Sequence, residues 1–136
     1  MRDECTIFLS NENPKLDYSA TKQYGQKLVS VFPPGRIHLS PSAAVLRARH
    51  VLSLMTSNDY LMLVGDPIAI AICAQVAGER LGTVKFLRFQ RPAGEAPRTN
   101  AGGYYEEIEV NFKAVEGAVD VVRILPPTKG VENVGT

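Results

Sequence analysis

Apolar residues in this chain fall in short blocks separated by proline, glycine and small polar residues, the punctuation of alternating strands and helices. Residues 6–9 are short and β-rich and predict a first strand, and residues 11–14 carry turn chemistry. Ser19 is placed to cap a brief helix at residues 20–24, with Gly25 as its stop. Residues 28–32 predict a second strand, ended by Pro33-Pro34-Gly35. Ser40-Pro41 then supplies a cap and a first-turn proline. Val45, Ala48, Leu52 and Met55 recur at helical spacing with Val51 alongside, while Arg47, Arg49 and His50 lie elsewhere on the wheel. This predicts an amphipathic helix of about four turns.

Residues 59–66 read Asp-Tyr-Leu-Met-Leu-Val-Gly-Asp, and the run from Tyr60 to Val64 is apolar without alternation. Such a run suits a strand buried on both faces, as in a parallel or mixed sheet. Gly65 permits a sharp exit, Asp66 can cap, and Pro67 can open a helix. Residues 68–77 are apolar nearly all round apart from Gln75, and Gly78, Glu79 and Arg80 then lead the chain out. Residues 83–91 and 104–112 read as an antiparallel hairpin joined by a long Pro- and Gly-rich loop. Residues 118–125 offer one more strand before Pro126-Pro127, and residues 128–136 form a polar tail. The expected fold is α/β: a single compact domain over residues 1–127, with a mixed sheet, two main helices and a C-terminal antiparallel hairpin at one end of the sheet. The pattern leaves the strand order open.

The length of 136 residues fits one domain, and 45% apolar residues is ordinary for a globular chain. Lys and Arg total 15 against 14 Asp and Glu, so a formal net charge of +1 gives no global reason to coat nucleic acid. Cys5 and Cys73 form neither a C-x-x-C pair nor a zinc-ligand spacing and read as free thiols in a reducing compartment. The N-terminal apolar run is too short for a signal-peptide core. No stretch approaches the ~20 apolar residues of a membrane span. The expectation is a soluble intracellular protein with no membrane partner and no cofactor.

The sharpest local feature is the Gly65-Asp66-Pro67 junction. Ligands of open α/β sheets sit beyond the carboxyl ends of strands, and a helix N-terminus favours an anion. Against this, Asp66 brings negative charge, Pro67 removes a donor, and the glycine-rich phosphate motifs are missing. The simplest reading is a capped turn, and the sharper one an anion or metal site at Asp66. Charge is also split along the chain. Residues 18–58 hold no acid but carry Lys22, Lys27, Arg36, His38, Arg47, Arg49 and His50, whereas in residues 100–136 six acids stand against three bases. That split can build a pocket for an anion or let two subunits attract each other; folding can equally mix it into an ordinary surface. Basic and aromatic residues interleave from Lys85 to Arg91, as on single-strand nucleic-acid platforms. Pairing with Glu106, Glu107 and Glu109 explains them more simply, with Phe86 and Phe89 as core. The loop that follows, with Arg91 and Arg98, is placed to close over a ligand. Ser19-Ala-Thr-Lys22 matches S-x-x-K without its companion motifs, and nothing singles out Asp17, Asp59 or Asp66 for acid–base work.

The segment Tyr60-Leu-Met-Leu-Val-Gly-Asp-Pro67, its apolar helix, the basic strand at residues 85–91 and the Tyr-Glu strand at residues 104–110 resemble small accessory proteins of tailed bacteriophages. The resemblance covers about residues 60–112, with a weaker echo at residues 6–13, and the loop at residues 92–103 looks like an insertion. It implies a phage accessory or virion protein acting in a bacterial cytoplasm and brings no catalytic residues. Two main readings follow. One is a small oligomeric, non-catalytic binder of an anionic, nucleotide-like ligand, suited to sequestering a host defence signal. Its candidate ligand residues are Arg36, Arg47, Arg49, Gly65, Asp66 and Arg88, since arginine matches phosphate bidentately. The other is a virion component or a protein that docks on a host protein. A small metal-dependent hydrolase using Asp66 stands third.

Overall fold

The unalternating run at residues 60–64 supplies a strand only over Tyr60–Met62, in the middle of a sheet and covered from both sides. The computed structural model describes residues 5–37, 39–90, 104–114 and 125–126. Its strands are β1 (Thr6–Asn11), β2 (Lys27–Phe32), β3 (Tyr60–Met62), β4 (Thr83–Gln90) and β5 (Tyr104–Asn111), with helices α1 (Pro41–Leu52) and α2 (Pro67–Leu81) between β2, β3 and β4. The sheet order is β2-β1-β3-β4-β5. The first four strands are parallel, and β5 runs antiparallel to β4 at one edge. The expected α/β fold with its terminal hairpin is therefore the observed one.

Period-two alternation divides the sheet into two apolar layers. Phe8, Leu61, Val84 and Phe86 meet Ala44, Ala48 and Leu52 of α1 and Ala69, Cys73, Val76 and Ala77 of α2 in one layer. Ile7, Leu9, Tyr60, Met62, Leu87 and Tyr105 form the other, with Leu16, Tyr18 and Tyr24 of the β1–β2 connection packed on it. Both helices thus lie on one face, and among the described residues the other face is covered by a connection whose regular structure is one short helix.

Several boundaries differ from the pattern-based expectation. The brief helix is a 3-10 helix at Ser19–Gln23 with Tyr18, not Ser19, at its N-cap. The Thr21 hydroxyl donates to the Tyr18 carbonyl at 2.6 Å, a local bond that competes with a regular α-helical start. Helix α1 is shorter than four turns and buries Ala44 rather than Val45, and Met55 is fully buried in the turn beyond it. Gly78 does not end α2, which runs to Leu81 and stops at Gly82 with φ +80°. A side chain at position 78 would place its Cβ 2.9 Å from the Phe112 ring; the glycine serves that packing and accepts a helix-propensity cost of ~1 kcal/mol. Arg80 stays on the helix and donates to the Met55 carbonyl at 2.5 Å. The expected extra strand, the loop at residues 92–103 and the tail fall mostly or wholly outside the described residues.

Strand β3 is only three residues long, yet Leu61 is fully buried at the centre of the helix-covered layer. Leu61→Ala should cost about 2–5 kcal/mol, read as a lower urea midpoint at unchanged slope. Leu46→Ala, at a side chain 63% exposed on α1, should change stability by no more than about 0.5 kcal/mol.

Candidate functional site

The order 2-1-3-4-5 places a topological switch point between β1 and β3, because β1 leads outward to β2 and the chain then crosses back to β3. At such a point the connections diverge and leave a crevice beyond the carboxyl ends of the strands. Here the β1–β3 ladder stops at the Leu9–Met62 pair, whereas β1 stays paired with β2 to Asn11–Phe32. Two side chains of β1 span the gap that opens. The Ser10 hydroxyl accepts from the Val64 N–H at 2.9 Å and donates to the Val64 carbonyl at 2.5 Å. Asn11, 3% exposed, accepts from the Asp66 N–H at 2.7 Å through its amide oxygen. Its amide nitrogen donates to the carbonyls of Pro33 at 2.6 Å and Gly35 at 3.2 Å. One buried amide thus ties together the loops that follow β1, β2 and β3.

Gly65 is part of the same junction. Its φ is +92°, and a Cβ there would lie 2.2 Å from the Asn11 amide oxygen, so both the backbone and the contact demand glycine. Asp66 is the N-cap of α2, its carboxylate accepting from the Ile68 N–H at 2.9 Å, with Pro67 in the first turn. The first donors of α2 are therefore spent. The Asp66 N–H goes to Asn11, proline has none, and the Ile68 N–H goes to Asp66. The helix terminus is a capped turn.

Positive charge at the crevice comes from Arg36. A cleft of about 570 Å³ lies over the switch point, lined by Asn11–Pro14 after β1, Gly35 and Arg36 after β2, and Gly65–Pro67 after β3. Its volume is within the usual range for small-molecule sites. Among the described residues Arg36 is the only cationic one of this lining, opposed by the carboxylates of Glu12 and Asp66. A smaller apolar pocket of about 210 Å³ adjoins it and shares Arg36, with Arg47 in its wall. The Nε of Arg47 donates to the Val31 carbonyl at 2.7 Å, which fixes the guanidinium against the end of β2.

The structure brings Arg36, Gly65 and Asp66 together, places Arg47 next door and separates the other two candidates. Arg49 faces Glu79 of α2 across 4.0 Å with both side chains well exposed, a pair of little energetic consequence. Arg88 pairs with its cross-strand neighbour Glu106 at 2.8 Å. Hydrogen bonds from Gln90 and Arg88 hold the Glu106 carboxyl below its ordinary range. The basic–aromatic strand resolves in the same way, with Phe86 in one apolar layer, Phe89 against the other, and Lys85 over the Tyr60 ring at 5.6 Å. His38, Arg91 and Arg98 lie outside the described residues. Asn11 and Glu12, which the sequence pattern assigned to a turn, belong to the site. The signal that could have found them is their position just past a first strand that precedes a crossover.

Other reactive groups, Ser10 beside the crevice, Cys73 on α2 and Asp59 at the opposite end of the sheet, have structural tasks. Ser10 is occupied in both directions by Val64. Asp59, buried, accepts from the backbone N–H groups of Thr6 and Thr56 and from the Thr56 hydroxyl. The Cys73 thiol lies 3.9 Å from the Ser10 carbonyl, and burial pushes its pKa up to about 12, so at neutral pH it is not a thiolate nucleophile. No group of three or more metal-ligating side chains occurs among the described residues, and no described helix is long and apolar enough to cross a membrane.

A family profile described as Phage Pam3 gp32-like protein matches residues 7–111. The chain belongs to this family. The match runs from β1 to the end of β5, so the Phage Pam3 gp32-like region contains the whole sheet and every described loop of the cleft. It extends the phage resemblance of residues 60–112 to the first half of the chain. No curated protein and no solved structure matches the chain.

Two outcomes follow from this geometry. In Asn11→Asp, an ionised carboxylate would face the Pro33 and Gly35 carbonyls, so its folded pKa should rise above the unfolded value of ~3.9. Because the raised pKa belongs to the folded state, stability is fully present below the unfolded value and is lost as pH rises through the folded one. Urea titrations should therefore show the variant closest to wild type near pH 4 and most destabilised at pH 7. Cys73 should resist iodoacetamide at pH 8 in the folded protein and be alkylated only as urea unfolds it, as followed by intact mass.

Proposed function

We propose that this phage protein captures an anionic, nucleotide-like ligand in the switch-point cleft without transforming it. The observation that carries the reading is the convergence of three loops on a cleft whose only cationic lining residue, among the described residues, is Arg36. Arginine holds a phosphate through paired N–H donors, while Glu12 offers an acceptor for sugar hydroxyls, the usual partnership in which phosphate and ribose are recognised at a switch point. Capture rather than turnover is supported by the occupation of Ser10 and Asp66 in hydrogen bonds of the fold and by the buried, protonated Cys73. In an infected cell, a protein that binds without turnover withdraws a nucleotide signal from the host, which gives such capture a use against host defence.

Thermal shift and calorimetry with ADP, AMP, adenosine and inorganic phosphate test this. ADP or AMP should raise the melting temperature and adenosine should not. Arg36→Ala should weaken nucleotide binding by roughly tenfold or more, the usual value of a hydrogen-bonded charge, while its own melting temperature without ligand stays close to wild type. Equal responses to adenosine and ADP, or no response to any of the four, would overturn the proposal.

A further inference from the structure

The pocket beyond β2 is chemically unlike the cleft beside it. Phe32, Pro33, Pro34, Ile37 and Leu39 make most of its lining, joined by Arg36 and Arg47. The two prolines bring no N–H donors, so this wall is poor at holding a phosphate, which favours backbone donors alongside cations. It suits a flat apolar group instead. Arg47 adds to that fit: its Nε is committed to the Val31 carbonyl, which leaves a fixed guanidinium plane, a surface on which aromatic rings stack.

The two cavities are also joined. The loop from Pro33 to Ile37 is the wall between them, since Gly35 and Arg36 line the cleft while Pro33, Pro34, Arg36 and Ile37 line the pocket. Asn11 fixes that wall by donating to the carbonyls of Pro33 and Gly35. A ligand with its anionic group on Arg36 thus has an apolar pocket within one residue's reach.

We infer that the pocket walled by Pro33, Pro34, Ile37, Leu39 and Arg47 is the base subsite of the same site, receiving the heteroaromatic base of a nucleotide whose phosphate is held by Arg36. This rests on the reading of the switch-point cleft as a nucleotide site and adds to it a preference for the base. Leu39 is the residue to change, because it is 48% exposed and its replacement leaves the core intact. Leu39→Trp fills the pocket, and Leu39→Ala removes part of its wall.

Calorimetry with AMP and with ribose 5-phosphate, on wild type, both Leu39 variants and Arg36→Ala, separates the two claims. The expected result is that wild type binds AMP at least about tenfold more tightly than ribose 5-phosphate, as stacking of one base contributes. Both Leu39 variants should lose that advantage while binding ribose 5-phosphate as wild type does, and Arg36→Ala should weaken both ligands. If AMP and ribose 5-phosphate bind wild type equally, and Arg36→Ala weakens both, the cleft stands and the base subsite is overturned. Loss of ribose 5-phosphate binding in Leu39→Trp would overturn it too, by making the pocket a phosphate site. If neither ligand binds wild type, the underlying reading falls and the inference with it. Circular dichroism of the variants excludes misfolding as the cause of any loss.

Discussion

Everything at the carboxyl end of this sheet depends on one buried amide. Where β1 and β3 part, backbone pairing can no longer satisfy the main-chain groups of either strand, and an unpaired buried group costs about 1–3 kcal/mol. Ser10 and Asn11 replace the missing ladder with side chains, and Asn11 uses both its acceptor and its donor to do so. The same residue excludes any side chain from position 65 and fixes the loop that carries Arg36. The crevice is therefore rigid at its floor, and its chemistry sits on the residues just beyond that floor.

A second constraint comes from the lopsided cover of the sheet. Both helices pack on one face, so the opposite layer relies on tyrosines and leucines from β1, β3, β4, β5 and the connection after β1. Aromatic residues suit this task because they bury a large area and still reach a polar partner. Tyr60 lies at the centre of that layer and donates to Glu107 at 3.1 Å, while Tyr24 meets it edge-on at 5.6 Å and donates to the Tyr105 carbonyl at 3.2 Å. These contacts link the β1–β2 connection to the hairpin at the far side of the sheet, so the loop holding Glu12 and Asn13 is anchored from behind as well as from below.

Much of this was legible from local chemistry. The unalternating run at residues 60–64 announced a strand buried on both faces, the Ser40-Pro41 and Asp66-Pro67 caps marked both helix starts, and Glu106 opposite Arg88 explained the basic strand. The errors share one cause. Gly78 looked like a helix end because local propensity cannot register Phe112, which arrives from a distant part of the chain to fill the space above it. Asn11 looked like a turn residue because asparagine is one by propensity, and its three bonds reach residues 22 to 55 positions away. Arg49 and Arg88 lie apart from the other four candidate ligand residues for a related reason: a charge count along the chain says which residues are basic, but not which end of a strand they reach.

The sequence by itself determined the element order, the two-faced burial of the central strand and the chemical inventory available for a site, because periodicity, caps and turn residues act over a few positions. Only the tertiary structure decided that β1 and β3 are neighbours that diverge, that Arg36 rather than Arg49 or Arg88 faces the crevice, and that Asp66 spends its carboxylate on the helix it opens. Strand order depends on contacts between segments distant in sequence, whose combined burial no local window contains. A binding cleft, being the place where such segments fail to meet, is set at the same level.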